Sequence, residues 1–237
     1  MTPDKKFAAE LETFRKEQAI GQQYFFSWLQ IRTEFGKDQK LLDRINETPL
    51  FWITTHHALL LAAFVALGRI FDQSSPHNVD SLLRVAIDNR QIFTRQALQA
   101  RRIRDGLDPE FAAEYVADKY EPTATDFRQL RAEVGKRRKV YAARFKDVRD
   151  KIYAHRQISD LDGINALLAK ARLDEMQAIF GFLHALNEAL WELFNNGRQP
   201  ILRMPNFQLP PKGRDGNSPA EMVAGDAADF FRAFMAR

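Results

Sequence analysis

The amino-acid sequence predicts an all-α fold: an antiparallel helical bundle with a C-terminal extended arm and a terminal helix. Three observations support this prediction. Apolar residues recur with the period of an amphipathic helix along nearly every segment. No segment shows the strict alternation of a half-buried strand. Apolar residues make up 45% of the 237 residues and include 19 Phe, which is enough material for a hydrophobic core.

The N-terminal part of the chain divides into helices at recognisable start and stop signals. Thr48-Pro49 opens a helix, because proline suits the first turn. The polar run at residues 73–77 marks a loop, and Gly106 ends a later helix. The helices of this part are predicted over residues 4–35, 48–71, from 80 onward, and 91–105.

The following part begins with a helix start at Asp108, which precedes a proline and a glutamate. That helix is predicted to reach about Tyr120. Thr123 starts a long basic helix that continues to about His155. Residues 163–195 supply one or two more helices, rich in Phe and Leu.

Residues 197–217 differ from the rest, because they contain four prolines and three glycines. This composition is incompatible with a helix. Apolar residues interleave with the prolines, so we expect an extended arm lying on the body. Ser218 and Glu221 then form a capping box, and the last helix has an apolar face that packs on this body or on a second copy. We therefore predict two parts: residues 1–196 as the helical bundle and residues 197–237 as the arm and terminal helix.

One segment imitates a membrane span, because no charged residue lies between Glu47 and Arg69. A span needs about 20 predominantly apolar residues, and the unbroken apolar part, residues 58–67, is too short. We interpret the segment as the buried central helix of a soluble bundle. The N-terminus lacks a signal-peptide pattern and the chain has no cysteine. We expect a cytoplasmic protein with no membrane partner.

Positive charge is concentrated between Arg128 and Arg156. This stretch contains eleven Lys and Arg against three acidic residues, a net charge of +8. The remainder carries −4, since the whole chain carries +4. Such asymmetry predicts a surface that faces a polyanion. A solvated helix face produces the same pattern, and charge alone leaves both interpretations open.

Near the end of the basic helix, Arg149 is followed after five residues by His155, which pairs a permanent cation with a side chain that titrates near neutral pH. Apolar residues spaced by four, three and four form the predicted buried stripe of this helix: Tyr141, Phe145, Val148 and Ile152. Arg149 lies on one flank of the stripe and His155 over it, so on an ideal helix they are about 120° apart. They converge only if the helix distorts or if two copies of the motif meet across a dimer axis.

The sequence RDKIYAH at residues 149–155 resembles the Arg-x4-6-His signature of HEPN domains, the all-α domains of prokaryotic toxins and abortive-infection proteins. ALGRIFD at residues 66–72 and VDSLL at residues 79–83 are similar to the AbiU-type abortive-infection branch. The resemblance covers residues 5–195. It implies an HEPN-like bundle, a homodimer whose two motifs line one cleft, and metal-independent RNA cleavage by attack of the ribose 2′-hydroxyl on the adjacent phosphate.

The resemblance also implies a role for each motif residue. His155 is the general base or acid. Arg149 holds the phosphate and offsets charge growing on its oxygens, and Asp150 orients His155 or Arg149. The remaining cations attract the RNA backbone in a salt-dependent way. The residues implied in RNA contact are Lys151, Tyr153, Arg156, Arg144, Arg137, Arg138 and Lys139.

Alternatives remain for these residues. Many HEPN-like domains are non-catalytic modules that bind RNA or a protein partner, and an Arg and a His near a helix C-terminus can simply favour its dipole. Arg69 and Asp72 end the second helix, where a local ion pair is their plainest role. A sharper hypothesis is that Asp72 fixes the Arg149 guanidinium.

The remaining histidine, glycine and arginine patterns do not indicate a metal or cofactor site. His56 and His57 are adjacent on a helix and cannot chelate together, and no second pair completes a site with His184 and Glu188, so no metal is predicted. No glycine-rich phosphate loop occurs, and no cofactor is predicted. A second basic cluster is interpreted as a solvated face or an extension of an RNA track: Arg101, Arg102 and Arg104.

Together with the resemblance, the sequence predicts a cytoplasmic, dimeric HEPN ribonuclease of toxin or abortive-infection type, or else a catalytically silent HEPN module. The expected partners are RNA and a second copy of the chain. A cognate antitoxin or regulatory protein is a further candidate partner.

Overall fold

A computed structural model describes residues 1–150, 172–207, 209 and 218–236. Within these residues all regular structure is helical and no strand occurs, so the predicted all-α fold is confirmed. The α-helices are α1 (Pro3–Phe35), α2 (Gln39–Ile45), α3 (Pro49–Phe71), α4 (Val79–Asp88), α5 (Arg95–Arg104), α6 (Pro109–Val116), α7 (Ala124–Tyr141), α8 (Leu173–Asn196) and α9 (Pro219–Met235). A 3-10 turn covers Arg90–Phe93, and a π-helix, Ala142–Lys146, follows α7.

Side-chain caps start several helices where the sequence predicts them. The Asp108 carboxylate accepts a hydrogen bond from a backbone N–H of the first turn of α6, in which Pro109 lies. Ser218 and Glu221 form the predicted capping box of α9, and Thr123 begins α7 with another. These starts are readable from sequence because each involves residues within one turn.

The short helix α2 occupies a segment in which the sequence shows no periodic pattern. Asp38 caps it, since its carboxylate accepts a hydrogen bond of 2.8 Å from the Lys40 backbone N–H. Leu41 and Ile45 lie one turn apart and are both buried. Two apolar residues are too few to reveal a period, and so short a helix depends on tertiary packing for its stability.

The chain forms two compact units, each made of three separate segments. The first unit contains Met1–Lys16, Arg69–Ala143 and Leu173–Pro205. The second unit contains Glu17–Gly68 together with the described residues of Arg144–Arg172 and Asn206–Arg237. The division into residues 1–196 and 197–237 stays a prediction.

Aromatic rings fill the core of the first unit around Phe7 of α1. The Phe7 ring lies 5.0 Å from the rings of both Phe93 and Phe194. Phe93 in turn lies 5.3 Å from Phe127 of α7, and all four rings are buried. These contacts join α1, the 3-10 turn, α7 and α8 through large apolar side chains, which dominate core energetics.

Two arginines cap the C-terminal end of α8. Arg101 is only 8% exposed and donates to the carbonyls of Ile92 (2.6 Å) and Phe194 (2.7 Å). Arg102 donates to the Asn195 carbonyl at 2.7 Å. The last carbonyls of a helix have no intrahelical donor, and these two arginines supply one. The interpretation of a solvated face or RNA track is therefore wrong for Arg101 and Arg102.

The terminal helix α9 packs within the second unit. The ring of buried Phe231 lies 5.9 Å from Phe35 and 5.7 Å from Trp52. Arg44 of α2 donates to the Phe234 carbonyl at 2.7 Å, and its guanidinium lies 4.6 Å from the Phe234 ring. Of the two packing surfaces that the sequence leaves open for this helix, the structure shows the one on the same chain.

Helix α3 is apolar along its length but is buried mainly in its second half. Phe64 and Leu67 are at most 1% exposed, whereas Leu50, Phe51 and Ile53 are 78%, 63% and 53% exposed. Among the described residues, α3 is the one helix whose length and composition suit a membrane span, and 22% of its most apolar 18-residue stretch is buried. A single such helix is weak evidence for a membrane. The expectation of a buried central helix is wrong for the first half of α3.

His56 of α3 lies among aromatic rings in the second unit. The Trp28 indole N–H donates to His56 Nδ1 at 3.0 Å, so the neutral ring carries its proton on Nε2. Burial lowers the pKa of His56, and the nearby His57 and Arg32 lower it further. Within the described residues, no three metal-ligating side chains cluster.

We expect the protein to lose stability as the pH falls below the usual histidine value of 6.5. The folded pKa lies below the unfolded one, so the unfolded chain binds the proton more readily between the two values. The stabilisation is fully present above pH 6.5 and is lost as the pH falls toward the folded pKa.

The variant His56→Gln keeps an acceptor for Trp28 but cannot titrate. Its melting temperature should therefore fall less than that of the wild type between about pH 7.5 and about pH 5.5. His57→Gln is the control and should retain most of the wild-type dependence. An identical pH dependence in His56→Gln and the wild type would contradict the expectation.

Candidate functional site

The helix that leads to the motif changes its winding before it reaches Arg149. The chain is α-helical to Tyr141, and the next five residues, Ala142–Lys146, form a π-helix. A π-helix is rare and frequently occurs at functional sites. The sequence predicts an unbroken α-helix to about His155, and this prediction is wrong for the π-helical residues Ala142–Lys146. The change of winding alters the rotation of the following residues relative to an ideal α-helix.

The predicted buried stripe is confirmed for its described members. Tyr141, Phe145 and Val148 are all at most 1% exposed. In the second unit, the Phe145 ring lies 6.1 Å from Phe64. In the first unit, Tyr141 stacks on Phe71 at 5.3 Å. Burial of Val148 constrains the backbone next to Arg149 and so helps to place the motif arginine.

Arg149 is bound by the next residue in the chain. Its Nε donates to Asp150 Oδ1 at 2.7 Å, and its Nη2 lies 2.6 Å from the same oxygen. The two side chains are 17% and 29% exposed, so the pair is shielded but still reaches solvent. Charge-assisted hydrogen bonds of this length are strong. Of the two roles expected for Asp150, this geometry supports the orientation of Arg149.

The Arg149 guanidinium also lies against α3 at Gly68. A β-carbon built on Gly68 would lie 1.9 Å from Arg149 Nη1 and 3.0 Å from Cζ. Atoms that are not bonded do not approach so closely, so glycine alone leaves room for the guanidinium here. Arg149 therefore contacts both the Asp150 carboxylate and the α3 backbone.

The basic residues of α7 have different surroundings. Arg138 forms an ion pair with Asp80 of α4, whose side chain is 9% exposed. The Arg137 guanidinium lies 5.5 Å from the Phe182 ring. Lys139 is exposed. Arg137 and Arg138 thus contribute to packing inside the first unit, while Lys139 presents its charge to solvent.

Four residues of the predicted site lie outside the described residues: Lys151, Tyr153, His155 and Arg156. Among the others, Arg144 is half-buried, Arg69 is exposed near the end of α3, and Asp72 is half-buried just beyond it. The hypothesis that Asp72 fixes the Arg149 guanidinium stays a prediction. So does the angle between Arg149 and His155.

Gly68 is the residue at this site that motif reasoning misses. An isolated glycine inside a helix costs about 1 kcal/mol relative to alanine. Gly68 lies in the last turn of α3, and a glycine near a helix end is also compatible with the end of the helix. The sequence therefore does not show that the Arg149 side chain fills the space at Gly68.

Comparison with known proteins confirms the family resemblance. A family model described as HEPN AbiU2 matches residues 4–229. The match therefore extends past residue 195, where the sequence resemblance ends, through the arm and into α9. No curated protein and no solved structure matches the chain.

Proposed function

The chain belongs to the AbiU2 family of HEPN domains, and we propose that it is a metal-independent endoribonuclease of abortive-infection or toxin type. Arg149 and His155 form the catalytic centre, RNA is the substrate, and the protein acts in the cytoplasm. The observation that carries the proposal is the Arg149 guanidinium, which Asp150 binds at 2.6–2.7 Å while part of its surface reaches solvent.

The reaction needs a proton acceptor, a proton donor and a fixed cation. The ribose 2′-hydroxyl loses its proton and attacks the adjacent phosphorus. The 2′-O–P bond forms as the bond to the 5′-oxygen breaks, which leaves a 2′,3′-cyclic phosphate and a 5′-hydroxyl. His155 moves a proton as general base or acid. Arg149 binds the non-bridging oxygens, and a cation fixed before substrate arrives needs no reorganisation during the reaction.

A second copy of the chain completes this site. On an ideal α-helix Arg149 and His155 are about 120° apart. Either the π-helical winding that precedes Arg149 or a partner motif brings them together, and the proposal takes the partner motif. The first half of α3 exposes the apolar side chains of Leu50, Phe51 and Ile53, which a second copy of the chain could cover. A cognate antitoxin or regulatory protein is a further proposed partner.

A catalytically silent HEPN module that binds RNA or a protein is the second candidate function. The ion pair between Arg138 and Asp80 favours a module that binds a protein, because it removes one of the expected RNA contacts. Such a module binds its partner without cleaving RNA.

Purified protein is expected to cleave mixed RNA in the presence of EDTA, because no step of the proposed reaction uses a metal. The products should carry 2′,3′-cyclic phosphate ends, which can be identified by end-group analysis after gel separation. His155→Ala should lose this activity, since it removes the proton carrier. Equal cleavage by His155→Ala, or no cleavage of any RNA by the wild type, would refute the ribonuclease and leave the silent module.

A further inference from the structure

The contact between Gly68 and Arg149 joins α3 to the motif inside the second unit. The three heavy atoms nearest to a β-carbon built on Gly68 all belong to Arg149: Nη1 at 1.9 Å, Cζ at 3.0 Å and Cδ at 3.1 Å. The arginine side chain therefore lies along the glycine from Cδ to the guanidinium. Gly68 is itself buried, so this contact is internal to the unit.

We infer that Gly68 is a positioning residue, whose missing side chain decides where the Arg149 guanidinium lies. The inference deepens the proposed ribonuclease function and rests on it for its effect on cleavage. The Asp150 carboxylate binds Nε and Nη2 of the guanidinium, and Nη1 is the atom closest to the glycine. Each of the three guanidinium nitrogens thus lies against another residue. These contacts fix both the position and the plane of the guanidinium.

Alanine at position 68 is incompatible with this arrangement. Non-bonded heavy atoms settle near 3.5 Å, whereas the new β-carbon would lie 1.9 Å from Nη1. The guanidinium must therefore move by roughly 1 Å or more, and a displacement of this size costs up to about 100-fold in rate. The clashing atom ends a flexible side chain, so the arginine moves more readily than the α3 backbone.

Gly135 of α7 offers a matched control. It also lies inside an α-helix, but a β-carbon built there meets no heavy atom within 4 Å. Alanine raises helix propensity at both positions. We expect the melting temperature to stay or rise in Gly135→Ala. In Gly68→Ala the shifted Arg149–Asp150 pair offsets this gain, and the melting temperature should stay well above the assay temperature, so that a loss of cleavage reports the displaced guanidinium and not an unfolded chain.

The kinetic test measures kcat for RNA cleavage by full-length variants. Gly68→Ala should lower kcat by about 10- to 100-fold, and Gly135→Ala should leave it unchanged. Because Gly68 acts through Arg149, adding Gly68→Ala to Arg149→Ala should change kcat by less than about 2-fold. Wild-type kcat in Gly68→Ala, or an equal fold-loss in both backgrounds, would overturn the inference.

A spectroscopic test separates this inference from the ribonuclease proposal. The Arg149 Nε–H resonance of the full-length protein, assigned by its loss in Arg149→Lys, reports the hydrogen bond to Asp150. We expect it to shift in Gly68→Ala and to stay in place in Gly135→Ala. If the wild type cleaves no RNA, the ribonuclease proposal fails while a shifted resonance still supports the positioning role. An unmoved resonance in Gly68→Ala overturns the positioning role whatever the activity.

Discussion

Mixing Arg149→Ala chains with His155→Ala chains is expected to restore about a quarter of wild-type RNA cleavage, although each variant alone is nearly inactive. When a site takes its arginine from one chain and its histidine from the other, a mixed dimer holds one intact site and one that lacks both residues. Random exchange makes about half of the dimers mixed. Loss of the arginine alone should cost about 100- to 1,000-fold, so the restored rate stands far above background.

The control mixture combines Arg149→Ala with the double variant Arg149→Ala/His155→Ala. It contains no intact arginine, so it should stay inactive at every ratio. Light scattering must show a dimeric mass for each variant before the rates are compared. A first mixture as inactive as its components would show that each chain holds a complete site, and a monomeric mass would refute the shared cleft.

Arg101→Ala is expected to lower the free energy of unfolding by about 3 kcal/mol. The side chain is 8% exposed and bonds two carbonyls at 2.6 and 2.7 Å, and its guanidinium lies 4.2 Å from the Phe194 ring. Burial lowers the pKa of Arg101 to about 10, so the group stays charged at neutral pH. Its removal leaves the Ile92 and Phe194 carbonyls without this donor and the ring without its cation.

Thermal and urea unfolding measure this loss, which corresponds to a decrease in melting temperature of about 6–12 °C for a chain of this size. Arg104→Ala is the matched control. Its side chain is 56% exposed and pairs with Asp4 at 3.1 Å, so it should cost less than about 1 kcal/mol. Equal losses in the two variants would show that capping by Arg101 contributes nothing beyond surface charge.

Much of the fold could be predicted because its signals are local. The capping box of Ser218 and Glu221 involves two residues three positions apart, and the stripe of Tyr141, Phe145 and Val148 follows from spacing along one helix. Helix α2 could not be predicted, since its stability depends on partners that pack on Leu41 and Ile45 after folding.

The candidate site divides in the same way. Arg149 and Asp150 are neighbours in the chain, so the motif identifies both. Gly68 contacts Arg149, and Asp80 binds Arg138. In each pair the two residues lie far apart in sequence. From the sequence alone, every basic residue of such a run is a candidate RNA contact. Only the folded structure shows which of them already bind other groups of the protein.

By itself the sequence determined the all-α class, the capped starts of α6, α7 and α9, the motif and the family. Only the tertiary structure decided that Arg101 binds backbone carbonyls and that Arg138 binds Asp80. It also decided that the first half of α3 is exposed and that Arg149 lies against Gly68. The reason is physical. Periodicity and capping depend on residues within a turn or two of each other, whereas burial and ion pairing depend on neighbours that only the folded chain brings together.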